Sequence, residues 1–230
     1  MGGSGLILGP PSDERNRMKI LIAVPTFENI YPDTFKAIWE IDKAGHEALF
    51  EFVRGYDCAT ARNKIVQRAL DMNADYVLMV DNDVTVPKNI LRIMLEDAKG
   101  VCLGYYAHRS TTNEYTGRVN VCKLRDENGK SYFNYPLESE YTPEELRKLL
   151  EQGQTKLQIH GGGMGCAFIK TSVFKEIGYP WYDWVNYADE HRGMLSEDLF
   201  FCEQCRNNGI PVFTDTRAAC GHLFRYIQNV

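Results

Sequence analysis

The sequence predicts an α/β fold, a three-layer α/β/α sandwich with a mostly parallel central sheet and a small mixed C-terminal half. Three observations carry that prediction. Strand-like and helix-like segments alternate over residues 18–108. Two of the strand-like segments, MKILIAVP and YVLMV, are unbroken apolar runs, which marks strands buried on both faces. Beyond residue 119 the alternation stops, so the second half must complete the sheet in another way.

MKILIAVP (18–25) is the first strand, closed by proline. PDTFKAIWEIDKAG (32–45) has apolar residues at helical spacing and Gly45 as a stop. HEALFEFVR (46–54) reads as a strand. TARNKIVQRALDMN (60–73) places Ala61, Ile65, Ala69 and Met72 on one helical face, with Arg62 and Asn63 off it. YVLMV (76–80) is the third strand, PKNILRIMLEDA (87–98) a helix with Pro87 in its first turn, and GVCLGYYAH (100–108) the fourth strand. VNVCKLRDENGKSYFNY (119–135) reads as two strands about an Asn128-Gly129 turn. Thr142-Pro143-Glu144-Glu145 is a capping box opening a short helix. KLQIH (156–160) and CAFIK (166–170) are extended segments joined by GGGMG. TSVFKEIG gives one or two helical turns, YPWYDW an aromatic loop, and SEDLFFCEQCRNNG a helix capped by Ser196 and stopped by Gly209.

The 230 residues, 44% of them hydrophobic, suffice for one full core. Residues 1–17 read as a flexible tail, added ahead of Met18 as natural initiator, and 18–230 as one domain. A net charge of -5 argues against a nucleic-acid partner, which needs a basic excess. No apolar run approaches the roughly 18 residues of a membrane span, and no secretory signal opens the chain. Seven cysteines, an odd number scattered through strands and helices, fit reduced thiols in a cytoplasmic protein.

In a parallel α/β sheet, ligands collect beyond the carboxyl ends of the strands, where Asp81 and Asp83 lie. Two carboxylates one residue apart can meet a single ligand, one on a ribose hydroxyl and one on a hard cation. Mg²⁺ and Mn²⁺ suit a few carboxylates completed by substrate phosphates and water. A turn cap before the next helix is the plainer alternative. Arg62 and Asn63 stand near a helix start, where a guanidinium can hold a diphosphate, or they form a solvated helix face. Gly162 and Gly163 of GGGMG either let a sugar lie against bare backbone or form a tight bend. Trp181 and Trp184, with Asp183 between them, are a stacking platform for an acceptor or part of the core. Cys202, Cys205, Cys220 and His222 have zinc-ligand types, yet the first two fall on a buried helical face, where thiols act as small hydrophobes.

Taken in order, VPTFE, ARN, the DxD at a strand end, GGGMGCAFI, SEDLFFCEQCRNNG and the late CGH resemble the GT-A glycosyltransferases, the family 2-like enzymes in particular. The resemblance covers most of residues 18–223. It implies the GT-A fold and transfer of a sugar from a nucleotide-diphosphate donor, UDP- or GDP-linked, to an acceptor hydroxyl with Mn²⁺ or Mg²⁺. Pro25, Thr26, Phe27 and Glu28 would then receive the nucleotide base, with Asn82 beside them. Asp81 would contact the ribose, and Asp83 would bind the metal with Asp81 and His222 completing its surroundings. The ED pair points to Asp198 as base of an inverting transfer, with Glu197 and Asp183 as competing bases; helix-dipole stabilisation of acids in a first turn is the alternative. The acceptor stays open among glycan, lipid-linked sugar, protein and small molecule. Two other functions compete: a nucleotidyltransferase acting on a sugar phosphate, and a non-catalytic module stapled by zinc.

Overall fold

A computed structural model describes residues 17–96, 100–109, 114–124, 139–186 and 194–224. Most of the 1–17 tail, the Asn128-Gly129 turn and the last residues of the helix expected over 87–98 lie outside them. The first half contains β1 (Lys19–Thr26), α1 (Pro32–Trp39), β2 (Glu47–Arg54), α2 (Cys58–Asp71), β3 (Tyr76–Val80), β4 (Val84–Thr85), α3 (Ile90–Leu95), β5 (Val101–Tyr105) and β6 (Ala107–Arg109). The second contains β7 (Tyr115–Val119), β8 (Val121–Lys123), α4 (Pro143–Glu151), β9 (Lys156–Gly162), β10 (Cys166–Lys170), α5 (Thr171–Ile177), β11 (Val185–Asn186), β12 (Met194–Leu195), α6 (Glu197–Asn207), β13 (Val212–Ala219) and β14 (Gly221–His222).

Eight strands form the central sheet in the order β2-β1-β3-β10-β5-β13-β9-β8. β10 and β9 run against the other six, so the sheet is mostly parallel, as expected. Alternation along each strand sends side chains to two separate cores. Leu21, Ala23, Val77 and Met79 join α2, α4, α5 and α6 on one face. Ile20, Ile22, Val24, Leu78 and Val80 join α1 and α3 on the other. Both faces are therefore covered, which is why these strands read as continuous apolar runs. Among the described residues, no helix is long and apolar enough to cross a membrane.

Several boundaries differ from those expected, each for a local reason. α1 stops at Trp39 with Glu40 as its C-cap, and Ala44 and Gly45, both at positive φ, then turn the chain back toward β2. α2 begins two residues early, at Cys58, since Asp57 caps it by accepting a 3.1 Å bond from the Thr60 N–H. Pro87 initiates a turn, its carbonyl accepting from Ile90 N–H, and α3 starts only at Ile90. The fourth strand breaks at Tyr106, and β6 leaves the sheet to pair with β7. The Thr142 capping box forms as read. Ser196 does precede α6, but its side chain makes no cap bond.

Candidate active site

The parallel strands end along one edge, and the sequence there builds a cleft of about 350 Å³. The chain leaves β3 at Asp81 and turns tightly, with the Val84 N–H donating to the Asp81 carbonyl at 3.1 Å. Asp81 N–H in turn donates to the Gly165 carbonyl at 2.9 Å, so the DxD turn is anchored to the glycine run. β4 then pairs with β14, placing His222 opposite Val84, while Leu223 N–H donates to the Asp83 carbonyl at 2.9 Å. Any side chain at position 221 would collide with the Thr85 hydroxyl, which accounts for the glycine before His222. One two-stranded ribbon thus brings residues 83 and 222, far apart in sequence, side by side.

His222 Nδ1 lies 2.7 Å from the Ala107 carbonyl, an acceptor only, so Nδ1 carries the proton. In the neutral ring Nε2 then turns a lone pair toward Asp83 Oδ2, 3.5 Å away. Arg109 donates to the same oxygen at 2.7 Å. Burial works against the charged form of Asp83, but a charged His222 ring, which would donate from Nε2 instead, and Arg109 outweigh it and hold the carboxyl below its ordinary pKa. Two lone-pair donors facing each other at this separation suit adjacent positions in an octahedral cation shell, where ligands stand roughly 3 Å apart. The Nδ1–carbonyl bond is the kind of outer support that orients a ligating histidine. The donor set therefore fits a divalent cation sharing its shell with phosphate and water. Among the described residues, no group of three or more His, Cys, Asp and Glu side chains is gathered closely enough to hold a metal by itself.

Arg62 corrects the expectation that it lies on the outer face of its helix. Its side chain is 1% exposed and is surrounded by carboxylates. It donates to Glu197 at 2.8 Å and to both oxygens of Asp81 at 2.9 and 3.2 Å, and it stands 3.5 Å from Asp198. Burial disfavours its charge, yet Asp81, Asp198 and Glu197 together hold its pKa well above the ordinary arginine value. Burial, then Asp198, push Glu197 up to about 7, with Arg62 pulling against them. Asp81 is also raised, by burial first and against the pull of Arg62, although 29% of its side chain still reaches the cleft. Asp198 Oδ1 is buried with no hydrogen-bond partner among the described residues, since the Arg62 contact is too long for one.

Other expected site residues are spent on structure. Asn63 donates to the Tyr182 carbonyl at 2.7 Å and accepts from its N–H at 3.1 Å, fastening α2 to the aromatic loop rather than facing a nucleotide. Trp181 is 7% exposed, its indole N–H bonded to the Phe174 carbonyl, so it belongs to the core and not to a platform. Asp183 and Trp184 lie at the surface outside the cleft wall. A Cβ at Gly162 would sit 2.6 Å from the Asn120 carbonyl, and one at Gly163 or Gly165 would sit 2.6 Å from the Tyr106 hydroxyl. The glycines make room for Tyr106, whose hydroxyl accepts from the Gly165 N–H at 2.9 Å; Gly162 and Gly163 still line the cleft. Cys202 and Cys205 are fully buried in the α6 face, Cys202 pointing at the Gly162 carbonyl, so they are core thiols rather than zinc ligands.

Phe27, Glu28 and Asn82 line a second recess of about 390 Å³ at the same sheet edge. Thr26 is buried beside it, its hydroxyl bonded to the Asn29 carbonyl, which also accepts from Asn82. Pro25 is buried one step back in β1. The main cleft contains residues that the motifs did not single out: Tyr106, His108, Arg109, Asn120 and Glu140. A His-Arg pair just past a parallel strand was the available signal for two of them. Glu140 carried none.

No family model matches the chain, and no curated protein matches it. Among solved structures it is similar to A197 from STIV, with 16% identity over 90% of this chain and 87% of that one and a TM-score of 0.56. It is also similar to GalNAc-T7 solved with UDP, GalNAc and Mn²⁺, with 14% identity, a TM-score of 0.58 and coverage of 91% of this chain. The chain spans 44% of the GalNAc-T7 chain. What it shares with these proteins is the fold, the GT-A-like sandwich that the order of motifs implied.

Proposed function

We propose that residues 18–230 act as one unit that transfers a sugar from a UDP- or GDP-linked donor to an acceptor hydroxyl, with Mn²⁺ or Mg²⁺ as cofactor. The observation that carries this reading is the convergence of Asp83 Oδ2 and His222 Nε2, 3.5 Å apart, in a cleft that Asp198 also lines. GalNAc-T7, bound to UDP, GalNAc and Mn²⁺ on a similar fold, supports it. Asp83 and His222 would hold the cation, with Asp81 beside them; when bound, the cation would neutralise charge on the leaving diphosphate. Arg109, freed from Asp83, would hold a phosphate oxygen through its planar fork. The recess at Phe27, Glu28 and Asn82 would take the base of the nucleotide. Asp198 would take the proton of the acceptor hydroxyl in a single, inverting displacement, because its carboxylate lines this cleft and is 22% exposed while its Oδ1 is turned to Arg62. Seven free thiols suit a reducing, cytoplasmic setting.

Calorimetric titration of UDP and GDP with and without Mn²⁺ tests the reading. At least one nucleotide should bind in a cation-dependent way, and Asp83→Ala should weaken it about 10-fold or more, about 1.4 kcal/mol. Cation-independent binding, or equal affinity in the variant, would remove Asp83 from the metal site.

A further inference from the structure

His108 and Glu140 form a pair on the cleft wall that the transfer chemistry above leaves unused. The two come from distant parts of the chain: His108 from β6, and Glu140 from an isolated bridge to Cys122 at the end of the sheet. The His108 Nδ1 is 2.7 Å from the carboxylate. Glu140 is 6% exposed, and its backbone carbonyl accepts from Arg118 at 3.2 Å, so the carboxylate is held in place. An ionised carboxylate can only accept, so Nδ1 carries the proton and Nε2 is the ring nitrogen left for the cleft. The His108 side chain is 38% exposed, enough for a ligand to reach it. Neighbouring polar groups are already committed. Asn120 spends its amide on Tyr106 N–H, the Gly163 carbonyl and the Gly104 carbonyl, and Arg109 is bonded to Asp83.

We propose that the His108–Glu140 pair is a sugar-hydroxyl subsite: Nε2 accepts a hydrogen bond from a ring hydroxyl, and Glu140 keeps the imidazole in the tautomer that can accept. This rests on the transfer reading for the presence of a sugar in the cleft. The hydroxyl belongs either to the sugar being transferred or to the acceptor. A buried carboxylate behind an imidazole is a costly arrangement unless it orients the ring. Among the described residues the pair uses the Nδ1 proton and the carboxylate that accepts it, which leaves Nε2 for a ligand.

The test uses the full chain labelled with ¹⁵N-histidine and observed by NMR, with Mg²⁺ in place of a paramagnetic ion. UDP alone, UDP-GlcNAc and UDP-GalNAc are titrated first. Methyl glycosides of glucose, galactose, mannose, GlcNAc and GalNAc are then titrated onto the UDP-saturated protein. In the free protein His108 should show a protonated Nδ1 and an unprotonated Nε2 at pH 8. At least one sugar-bearing probe should shift the Nε2 resonance saturably where UDP alone does not. A shift with the nucleotide sugars assigns the hydroxyl to the donor, and one with a glycoside assigns it to the acceptor. Glu140→Gln should weaken that titration about 10-fold while the UDP affinity stays within about 2-fold. The reverse tautomer, a resonance that no sugar probe moves, or a titration indifferent to Glu140→Gln would reduce the pair to a strut between β6 and residue 140. Failure of UDP and both nucleotide sugars to bind at all, together with failure of GDP in the calorimetric titration, would instead count against the transfer reading; a methyl glycoside that still shifted Nε2 would leave the subsite standing.

Discussion

Replacing Glu197 by glutamine tests the charge balance around Arg62. Three carboxylates face one guanidinium, which leaves excess negative charge in a buried place. Burial first, and Asp198 second, answer it by keeping Glu197 protonated up to about 7. The unfolded chain releases the same proton near the ordinary value of 4.5. Between those values the native state binds more protons than the unfolded one, so this contribution to stability is complete below 4.5 and is lost as pH rises to about 7. A rise of that size corresponds to roughly 3 kcal/mol, an upper value because the cluster relaxes when the charge appears. Asp81, also raised, adds a loss of the same sign, whereas Asp83, held low, contributes with opposite sign as pH falls below the ordinary carboxylate range. Glutamine keeps the shape and can still accept from Arg62, but it has no proton to lose. The assay is urea unfolding of both proteins at intervals from pH 5 to 8. The difference between the two curves reports the Glu197 proton and the carboxylates coupled to it. Wild-type stability should fall relative to Glu197→Gln by about 2–3 kcal/mol across that window. Parallel curves, or a wild type that gains on the variant as pH rises, would refute the charge argument.

Arg62→Lys keeps the charge but loses the fork that reaches Asp81 and Glu197 together. It should cost about 3–5 kcal/mol in urea unfolding, the range for breaking a buried pair; a wild-type midpoint would show that the guanidinium geometry contributes nothing. Asp198→Asn should leave UDP or GDP binding with Mn²⁺ within about 2-fold of wild type while sugar transfer falls at least about 100-fold. Near-normal turnover, or a product that retains the donor's anomeric configuration, would take Asp198 out of the base role.

The alternating elements and the two-faced burial of β1 and β3 were legible because their apolar runs are local and long. Asp83 with His222 was legible through motif order, since both sit at strand ends in a recognisable sequence of segments. Arg62 was not. A helical wheel counts arginine as an outer residue, and the carboxylates that make its burial tolerable arrive from residues 81, 197 and 198. The alternatives at Asn63 and Trp181 stay open in the sequence for a related reason: their partners are backbone groups of Tyr182 and Phe174, and a backbone partner leaves no mark in composition. The glycine run reads as space for a sugar or as a tight bend, and the sequence does not show that Tyr106, a residue 57 or more positions earlier, occupies the space beside Gly163 and Gly165. Glu140 escaped because nothing around it is periodic, and its meaning depends on His108, 32 residues earlier and beside it on the cleft wall.

The place of β10 between β3 and β5 sets the order in which the chain can be assembled. A ribosome delivers Tyr105 long before Cys166, and until β10 arrives the facing edges of β3 and β5 are unpaired. Such edges accept any extended chain, so the unfinished first half is exposed to wrong pairing during synthesis. Closing the slot is a non-local and therefore slow event. It is also the event that brings Gly165, the residue just before β10, against Asp81 and Tyr106. Joining β3 to β5 and constructing the cleft floor are then one kinetic step, and β13, later in the chain, still has to close the sheet between β5 and β9.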